Sequence, residues 1–238
     1  MRRDGVRASR GLFVTGTDTG VGKTLVVAGL LRLARRQGLV PIPFKPVETG
    51  CDPEPADARR LWRAARPPIP PDDVCLHAFP LPAAPALAAA AAGRRLDLDA
   101  MVERAQALAR HGDFLVVEGA GGLLVPYADG QTTADLAARL GLPLLVVGRM
   151  ALGTINHVAL TLAEAARRAL PVAGCILSRT EPAVGAHENG NVELIAALTG
   201  RRPLGVVPYL APEARDDDDR VADAVRDSIG DGLRLLLG

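Results

Sequence analysis

Short runs of apolar residues without polar alternation recur along the chain, and segments with helical spacing separate them. The apolar runs cover residues 12–14, 40–44, 114–117, 142–147, 172–177 and 204–207. Such runs are typical of strands that are buried on both faces of a sheet. The segments with helical spacing cover residues 24–37, 57–65, 98–110, 133–140, 156–170 and 191–199. This alternation predicts an α/β fold with a mostly parallel central sheet and helices on both faces.

Three segments fall outside the alternation. The proline-rich segment 66–86 is predicted to be an ordered surface excursion, and the alanine-rich segment 83–92 a short packed helix. The run Asp216 to Asp219 is predicted to be a solvated loop before the last helix, because adjacent carboxylates diverge and suit a metal poorly. The length favours one domain over residues 1–238, with residues 1–10 as a disordered extension.

Charge and composition narrow the classes of function. Lys plus Arg is 28 and Asp plus Glu is 27, so a net charge of +1 supplies no overall field for nucleic acid or an anionic membrane. Aromatic residues make up only 3%, too few for platforms that stack single-stranded nucleic acid. The three cysteines have no CxxC spacing, and no apolar run approaches the ~18 residues of a membrane span. We therefore expect a cytoplasmic protein that binds neither nucleic acid nor membrane.

Lysine is rare in this chain. Only Lys23 and Lys45 are lysines, so the other 26 of the 28 basic residues are arginine. Both lysines lie in segments that carry candidate chemistry.

The first candidate is a glycine-rich turn over residues 16–24, between the first predicted strand and the first predicted helix. Its end, Gly22-Lys23-Thr24, is typical of a loop whose backbone N–H groups surround phosphate oxygens. Lysine at this point reaches the outer phosphates, and the threonine hydroxyl binds Mg²⁺. The loop is one residue longer than the strict GxxxxGK[ST] spacing, and a chance glycine turn is the alternative.

Two charged residues follow apolar runs, at the sheet edge where α/β proteins bind ligands. Glu118 precedes Gly119-Ala120-Gly121-Gly122 and is a candidate Mg²⁺ ligand; a plain acid at a strand end is the alternative. Lys45 is a candidate cation for the γ-phosphate region; a surface lysine is the alternative.

Taken together, these motifs resemble the dethiobiotin synthetases, which have a P-loop NTPase-like fold. The resemblance extends from Val14 to about Leu210, and the lengthened phosphate loop is a trait of that family. It includes the motifs Val14 to Thr19, Val21 to Thr24, Lys45-Pro46-Val47, Thr49-Gly50, Asp57-Ala58, Val117 to Gly122, Val125-Pro126, Gly153 to His157, and Pro208-Tyr209-Leu210.

The resemblance implies an ATP-dependent, Mg²⁺-dependent ligase of biotin biosynthesis. Such an enzyme converts 7,8-diaminononanoate and CO₂ (or bicarbonate) into a carbamate. ATP phosphorylates the carbamate, and the second amine attacks the mixed anhydride, which closes the ureido ring and releases phosphate. The family also implies a homodimer with the substrate site at its interface.

The resemblance also implies a role for each matching residue. Lys45 and Lys23 would be catalytic, and Thr24, Asp57 and Glu118 would bind Mg²⁺. Substrate would contact Lys45, Thr49, Gly121, Gly153, Thr154 and Asn156. Nucleotide would contact Thr19, Gly20, Val21, Gly22, Lys23, Thr24, Leu25, Asp57, Glu118, Gly119, Ala120, Gly121, Ser178, Pro208, Tyr209 and Leu210.

Four positions qualify this assignment. Thr49 stands where the family usually has serine, which keeps the hydroxyl. Ser178 stands where several members have asparagine to read adenine, so we predict a less than tenfold preference for ATP over CTP or GTP. Asn156 could equally be only a helix cap, and His157 only a packing residue.

Rival classes share the predicted fold. Septum-site and chromosome-partition ATPases are similar at the phosphate loop, but they carry an early second lysine where this chain has Thr17 and Asp18. Such ATPases often have a basic amphipathic tail, whereas residues 233–237 hold one Arg among four leucines and predict a last core helix. Cobyrinic acid amide synthases need a further glutaminase domain, for which 238 residues leave no room.

Overall fold

The computed structural model describes residues 10–128, 130–182, 185, 188 and 190–237. Within them, seven strands form one sheet in the order β3-β2-β4-β1-β7-β8-β9, and every neighbouring pair is parallel. The strands of this sheet are β1 (Gly11–Gly16), β2 (Pro41–Thr49), β3 (Cys75–Phe79), β4 (Phe114–Gly122), β7 (Leu144–Arg149), β8 (Val172–Ser178) and β9 (Gly205–Val207). The strands β5 (Pro126–Ala128) and β6 (Gln131–Thr132) form a separate antiparallel pair. The predicted α/β fold with a parallel central sheet is confirmed.

Helices cover both faces of the sheet, as predicted. Their bounds are α1 (Lys23–Arg36), α2 (Ala56–Ala65), α3 (Pro85–Ala91), α4 (Leu98–Ala109), α5 (Thr133–Leu140), α6 (Thr154–Arg167), α7 (Asn191–Thr199), α8 (Pro212–Arg215), α9 (Asp218–Ile229) and α10 (Gly232–Leu237), with a 3-10 turn at Pro71–Val74. Helices α1, α2, α9 and α10 contribute to the apolar core on one face. Helices α3 to α5 contribute to one cluster on the other side, and α6 and α7 to another.

Alternate side chains of β1 point to opposite faces of the sheet, which explains why helices must pack on both faces. Leu12 and Val14 pack into the core beneath α1, whereas Phe13 packs into the cluster that includes α4 and α5. All three side chains are at most 1% exposed. A strand that buries apolar groups on both sides must lie between two helical layers, and β1 does so beside β4 and β7 at the centre of the sheet.

The structure corrects three expectations. Lys45 and Glu118 do not follow their strands but lie inside β2 and β4, which continue to Thr49 and Gly122. The segment 66–86 is not only a surface excursion, because it contains β3, which extends the sheet beyond β2.

The run Asp216 to Asp219 is not a loop throughout, since α9 begins at Asp218. The carboxylate of Asp217 caps this helix by accepting from the backbone N–H groups of Asp219 and Arg220. Acidic residues in the first turn also complement the helix dipole, so the run stabilises a helix start.

The predicted short helix in 83–92 and the predicted final helix are confirmed as α3 and α10. The expected N-terminal extension covers residues 1–10, of which residues 1–9 lie outside the described part of the chain. Among the described residues, no helix combines the length and apolar character that crossing a bilayer requires.

Candidate functional site

The loop between β1 and α1 is built to accept an anion. Gly22, which precedes α1, has a φ of 95°, and no side chain caps the first N–H groups of the helix. A Cβ at Gly22 would lie 2.6 Å from the Ser178 hydroxyl, so the close approach of β8 also requires glycine here. The ammonium of Lys23 donates to the carbonyl of Asp18 across the loop at 2.9 Å. Free N–H groups and a fixed cation thus meet at one helix N-terminus.

Four side chains from four elements converge beside this loop. The Lys45 ammonium on β2 lies 2.5 Å from Glu118 Oε1 on β4 and 3.2 Å from Asp57 Oδ2 on α2. The Thr24 hydroxyl on α1 donates to the same Glu118 oxygen at 2.9 Å. Lys45 is 4% exposed and Glu118 is 0% exposed, so this ion pair is withdrawn from water.

The two lysines differ in their electrostatic surroundings. Burial lowers the pKa of Lys23 to about 8, although Glu118 opposes the shift. Burial would also lower the pKa of Lys45, but the carboxylates of Glu118 and Asp57 outweigh it and raise that pKa above the usual value. Lys45 therefore stays charged at neutral pH, and an approaching anion would raise the pKa of Lys23.

The oxygen atoms of this cluster suit a hard divalent cation. Glu118 Oε2 is buried and has no hydrogen-bond partner, which is costly for a carboxylate unless a further group meets it. Hydroxyl and carboxylate oxygens are the ligands that Mg²⁺ prefers, together with phosphates and water. Among the described residues, no group of three or more His, Cys, Asp or Glu side chains is arranged to hold a metal by itself. The donor set of Thr24, Asp57 and Glu118 thus fits Mg²⁺ that arrives with a phosphate ligand.

A cavity of about 850 Å³ opens over this cluster. Most of the residues expected at the site line it, namely Thr19, Gly20, Gly22, Lys23, Thr24, Leu25, Lys45, Thr49, Asp57, Ala120, Gly121 and Ser178. The structure thus brings together residues that the sequence spreads over about 160 positions.

Other expected residues do not line the cavity. The side chain of Val21 is buried in the core, so only its backbone could meet a ligand. Glu118 lies beside the cavity and reaches it through Thr24 and Lys45. Gly119 packs against Phe13 and Thr133, where a Cβ would lie 2.9 Å from a threonine methyl group.

Two expected groups are not among the residues that line the cavity. Pro208, Tyr209 and Leu210 follow β9, and Gly153, Thr154 and Asn156 form the start of α6. Thr154 is nearly buried and its hydroxyl has no partner, whereas Asn156 is exposed. The start of α6 therefore does not line the cavity in this arrangement.

Sequence reasoning missed several cavity residues, which are Glu48, Arg60, Pro82, Ala83, Ala84, Pro85, Arg179, Thr180 and Arg215. Arginine gave no signal, because the chain uses it almost everywhere as its basic residue. Glu48 could have been found, since it stands between Lys45 and Thr49 in a motif that already held two candidates.

Arg215 joins the two segments expected to hold a nucleobase. Its guanidinium donates to the carbonyl of Leu210 at 2.6 Å and of Thr180 at 3.4 Å. The same group lies over the ring of Tyr209, 4.8 Å from its centroid. The ends of β8 and β9 are thereby held together at the cavity rim.

Comparisons with known proteins agree with this geometry. A family model described as an AAA domain matches residues 10–215. An ATP-dependent dethiobiotin synthetase BioD of Anaeromyxobacter dehalogenans is 51% identical over 207 residues, 87% of this chain and 93% of that protein. The protein of the same name from Bacillus cereus is 39% identical over 206 residues, 85% of each chain.

Solved structures show the fold at much lower identity. The MinD cell division protein of Aquifex aeolicus, covering 94% of this chain and 95% of its own, has a TM-score of 0.57 at 13% identity. A ParA family ATPase from Chlorobium tepidum, covering 97% and 96%, has a TM-score of 0.55 at 13% identity. These likenesses support the P-loop NTPase fold, whereas the much closer sequence relatives decide the family. The chain belongs to the ATP-dependent dethiobiotin synthetase family.

Proposed function

We propose that this chain catalyses the reaction for which its family is named, the ATP-dependent closure of the ureido ring of dethiobiotin from 7,8-diaminononanoate and CO₂. The observation that carries the proposal is the buried Lys45–Glu118 pair beside Lys23 and Thr24, at the floor of one cavity. This arrangement supplies cations and an anion-binding helix start. Phosphoryl transfer to a carbamate needs positioning and charge stabilisation, and it needs no covalent nucleophile on the protein.

The phosphate loop would hold the triphosphate. The uncapped N–H groups of α1 and the neighbouring loop residues, Thr19 to Leu25, would donate to the phosphate oxygens. Lys23 would stabilise the charge that develops on the outer phosphates, because its ammonium is already held beside the loop. Ala120 and Gly121 at the end of β4 would leave room for the substrate and the transferred phosphoryl group.

Lys45 and Thr49 would hold the acceptor. The carbamate is an anion, and the Lys45 ammonium is a cation fixed by two carboxylates on one side of the cavity. In that position a carbamate oxygen takes the γ-phosphoryl group as ADP leaves. The second amine then attacks the carbamate carbon, and phosphate is released as the ring closes.

Thr24, Asp57 and Glu118 would bind Mg²⁺. When bound with ATP, Mg²⁺ neutralises phosphate charge and orients the triphosphate. The buried oxygen of Glu118 without a partner supports this assignment.

The base would lie between Ser178 and the segment Pro208 to Leu210. Ser178 has a short side chain whose hydroxyl already packs close to Gly22, so it cannot offer the paired donor and acceptor of an amide to adenine. We therefore expect kcat/KM for ATP to exceed that for CTP or GTP by less than tenfold. A larger ratio would contradict this part of the proposal.

The working enzyme would be a cytoplasmic homodimer with residues 1–238 as one domain. Four leucines on or just before α6 and α7 are strongly exposed, namely Leu152 (83%), Leu160 (62%), Leu194 (55%) and Leu198 (65%). Exposed apolar side chains of this kind are typical of an interaction site. Gly153, Thr154 and Asn156 begin α6 directly after Leu152, so a dimer formed through these leucines would carry this helix start to the partner's substrate, where it would receive a carboxylate.

Product formation tests the function directly. Purified protein is mixed with Mg-ATP and bicarbonate, with and without 7,8-diaminononanoate, while phosphate release and the cyclic urea are measured. We expect diamine-dependent phosphate release that matches product one for one. Slow hydrolysis without diamine, and no urea, would instead identify a nucleotide switch.

A matched pair of variants tests the dimer. Leu160→Glu places a charge on the exposed face of α6, and Leu235→Glu places the same charge on α10, where the leucine is 71% exposed. We expect Leu160→Glu to sediment as a monomer with little turnover but normal ATP binding, and Leu235→Glu to remain a dimer. Dimers in both variants would exclude this face as the interface.

A further inference from the structure

Glu48 is a buried carboxylate that the proposed chemistry leaves without a role. It lies near the end of β2, three residues beyond Lys45, and is 7% exposed. Its side chain lines the cavity, yet both of its oxygens are already engaged. Oε1 accepts from the backbone N–H of Asp57 at 2.9 Å, and Oε2 accepts from that of Ala58 at 3.0 Å.

These two bonds supply a cap that α2 lacks in its own sequence. The residue before α2 is Pro55, which has no side chain able to accept from the helix start, and no local cap is present. A helix start leaves its first N–H groups unpaired, and a carboxylate also complements the helix dipole there. Here the cap comes from another element, so it fixes the start of α2 against β2.

The donor in one of these bonds is Asp57 itself. Its backbone is tied to Glu48, and its carboxylate meets the ammonium of Lys45 at 3.2 Å. Asp57 is 43% exposed at its side chain, so contacts around that side chain alone do not confine it. The cap therefore fixes the backbone position from which the Asp57 carboxylate reaches the site.

We propose that Glu48 is a positioning residue that aims the Asp57 carboxylate at the magnesium site by capping α2. The proposal rests on the proposed function in one respect, the assignment of Asp57 as a Mg²⁺ ligand. Each oxygen of Glu48 already accepts from a backbone N–H of α2, so the role assigned to Glu48 is to hold the helix start and not to bind the metal. Partners that orient a metal ligand typically change metal affinity by about 10-fold to 100-fold when they are removed.

The test compares Glu48→Ala with Asp97→Ala. Asp97 caps α4 by accepting from the backbone N–H of Asp99 at 2.8 Å, so its removal also uncaps a helix, away from the cavity. For each variant, the affinity of Mg²⁺ for the protein bound to a non-hydrolysable ATP analogue is measured by calorimetry. We expect Glu48→Ala to weaken Mg²⁺ binding about 10-fold or more, and Asp97→Ala to leave it unchanged.

Nucleotide affinity without Mg²⁺ supplies a second readout, which should move less than threefold in Glu48→Ala. A loss of the same size with and without Mg²⁺ would mean a general disturbance of the cavity and would overturn the proposal. Equal effects of Glu48→Ala and Asp97→Ala would also overturn it.

A double variant separates positioning from a merely structural role. If Glu48 acts through Asp57, then adding Glu48→Ala to Asp57→Ala should weaken Mg²⁺ binding no further than Asp57→Ala alone. Additive losses would overturn the proposal, and so would an Asp57→Ala variant with normal Mg²⁺ affinity. Should Glu48→Ala fail to fold, Glu48→Gln replaces it in the test. The glutamine keeps one acceptor oxygen but turns an amide donor towards the other backbone N–H. Unchanged Mg²⁺ affinity in Glu48→Gln would overturn the proposal.

These measurements need no turnover. A wild-type protein that binds Mg²⁺ with the ATP analogue but forms no cyclic urea would refute the proposed function and leave the test of Glu48 intact.

Discussion

Removing the charge of Lys45 should destabilise the folded protein as well as slow its reaction. In Lys45→Met the side chain keeps its length but loses the ammonium that lies 2.5 Å from Glu118 and 3.2 Å from Asp57. Glu118 is 0% exposed, so its carboxylate stays buried without its cation. Breaking a buried ion pair in this way costs about 3 to 5 kcal/mol. Because Asp57 is partly exposed and water can reach it, we expect the lower end, about 3 kcal/mol.

The assay is chemical denaturation at pH 7 in the absence of nucleotide and metal, followed by circular dichroism. In a thermal melt of a domain of this size, the same loss of about 3 kcal/mol would lower Tm by roughly 6 to 12 °C. The matched control is Arg202→Met, which removes the cation of an exposed pair with Glu193 at 2.5 Å and should cost less than about 1 kcal/mol. Lys45→Met with a loss no greater than that of Arg202→Met would refute the reasoning.

A second variant tests the cause of the loss. If the loss arises from an unpaired buried carboxylate, adding Glu118→Gln to Lys45→Met should recover a large part of the stability, because a neutral amide costs less to bury. A double variant that is as unstable as the sum of the single changes would show no coupling between the two residues.

In turnover, Lys45→Met should lower kcat far more than it weakens ATP binding, because the interaction strengthens towards the transition state. A near-normal kcat would remove Lys45 from the mechanism.

Three further variants or treatments test other parts of the structure. Gly22→Ala should weaken ATP binding at least about tenfold by calorimetry, because φ is 95° and the added Cβ would lie 2.6 Å from the Ser178 hydroxyl; normal affinity would contradict the loop geometry. Two arginines of α1 hold the pKa of Asp219 below its usual value, so its ionised form stabilises the fold above the unfolded pKa, near 4. Asp219→Asn should therefore lose about 1 kcal/mol at pH 7 after allowance for solvent exposure, and the difference from wild type should shrink as pH falls below about 4; a constant difference would exclude the ion pairs as its cause. Burial raises the pKa of the Cys175 thiol to about 12, so alkylation of Cys175 at pH 8 should be slow until denaturant unfolds the chain; rapid labelling of Cys175 in the native protein, located by peptide mapping, would contradict that burial.

Local patterns were enough to predict most of the secondary structure. Helices α5 and α7 have the bounds that their spacing predicts, residues 133–140 and 191–199. The strands were harder to predict at their carboxyl ends, because an apolar run stops at the first charge. Lys45 and Glu118 lie inside β2 and β4 and neutralise each other there, and the sequence does not show which charges are paired.

Long-range contacts decided what sequence reasoning missed. The segment that contains β3 has several prolines, which usually mark a loop, but within the described part of the chain β3 is an edge strand whose one partner is β2. Proline is tolerated near such an edge. Arg215 reaches Thr180, which lies 35 residues earlier in the sequence, only in the folded chain. By contrast, the phosphate loop was predictable because its strand, turn and helix are contiguous in sequence.

The positions of the two lysines have a physical explanation. Both lysines are withdrawn from solvent, Lys23 at 7% and Lys45 at 4% exposure, and both lie in or beside the cavity. An ammonium is a compact point charge, whereas a guanidinium is a wide planar fork that needs several acceptors in its plane. Lys45 finds two carboxylate oxygens within 3.2 Å in a space bounded by three elements, and Lys23 spans its own loop to a single carbonyl. A chain that uses arginine for its other basic residues thus retains lysine where the cation is buried and directed at one point.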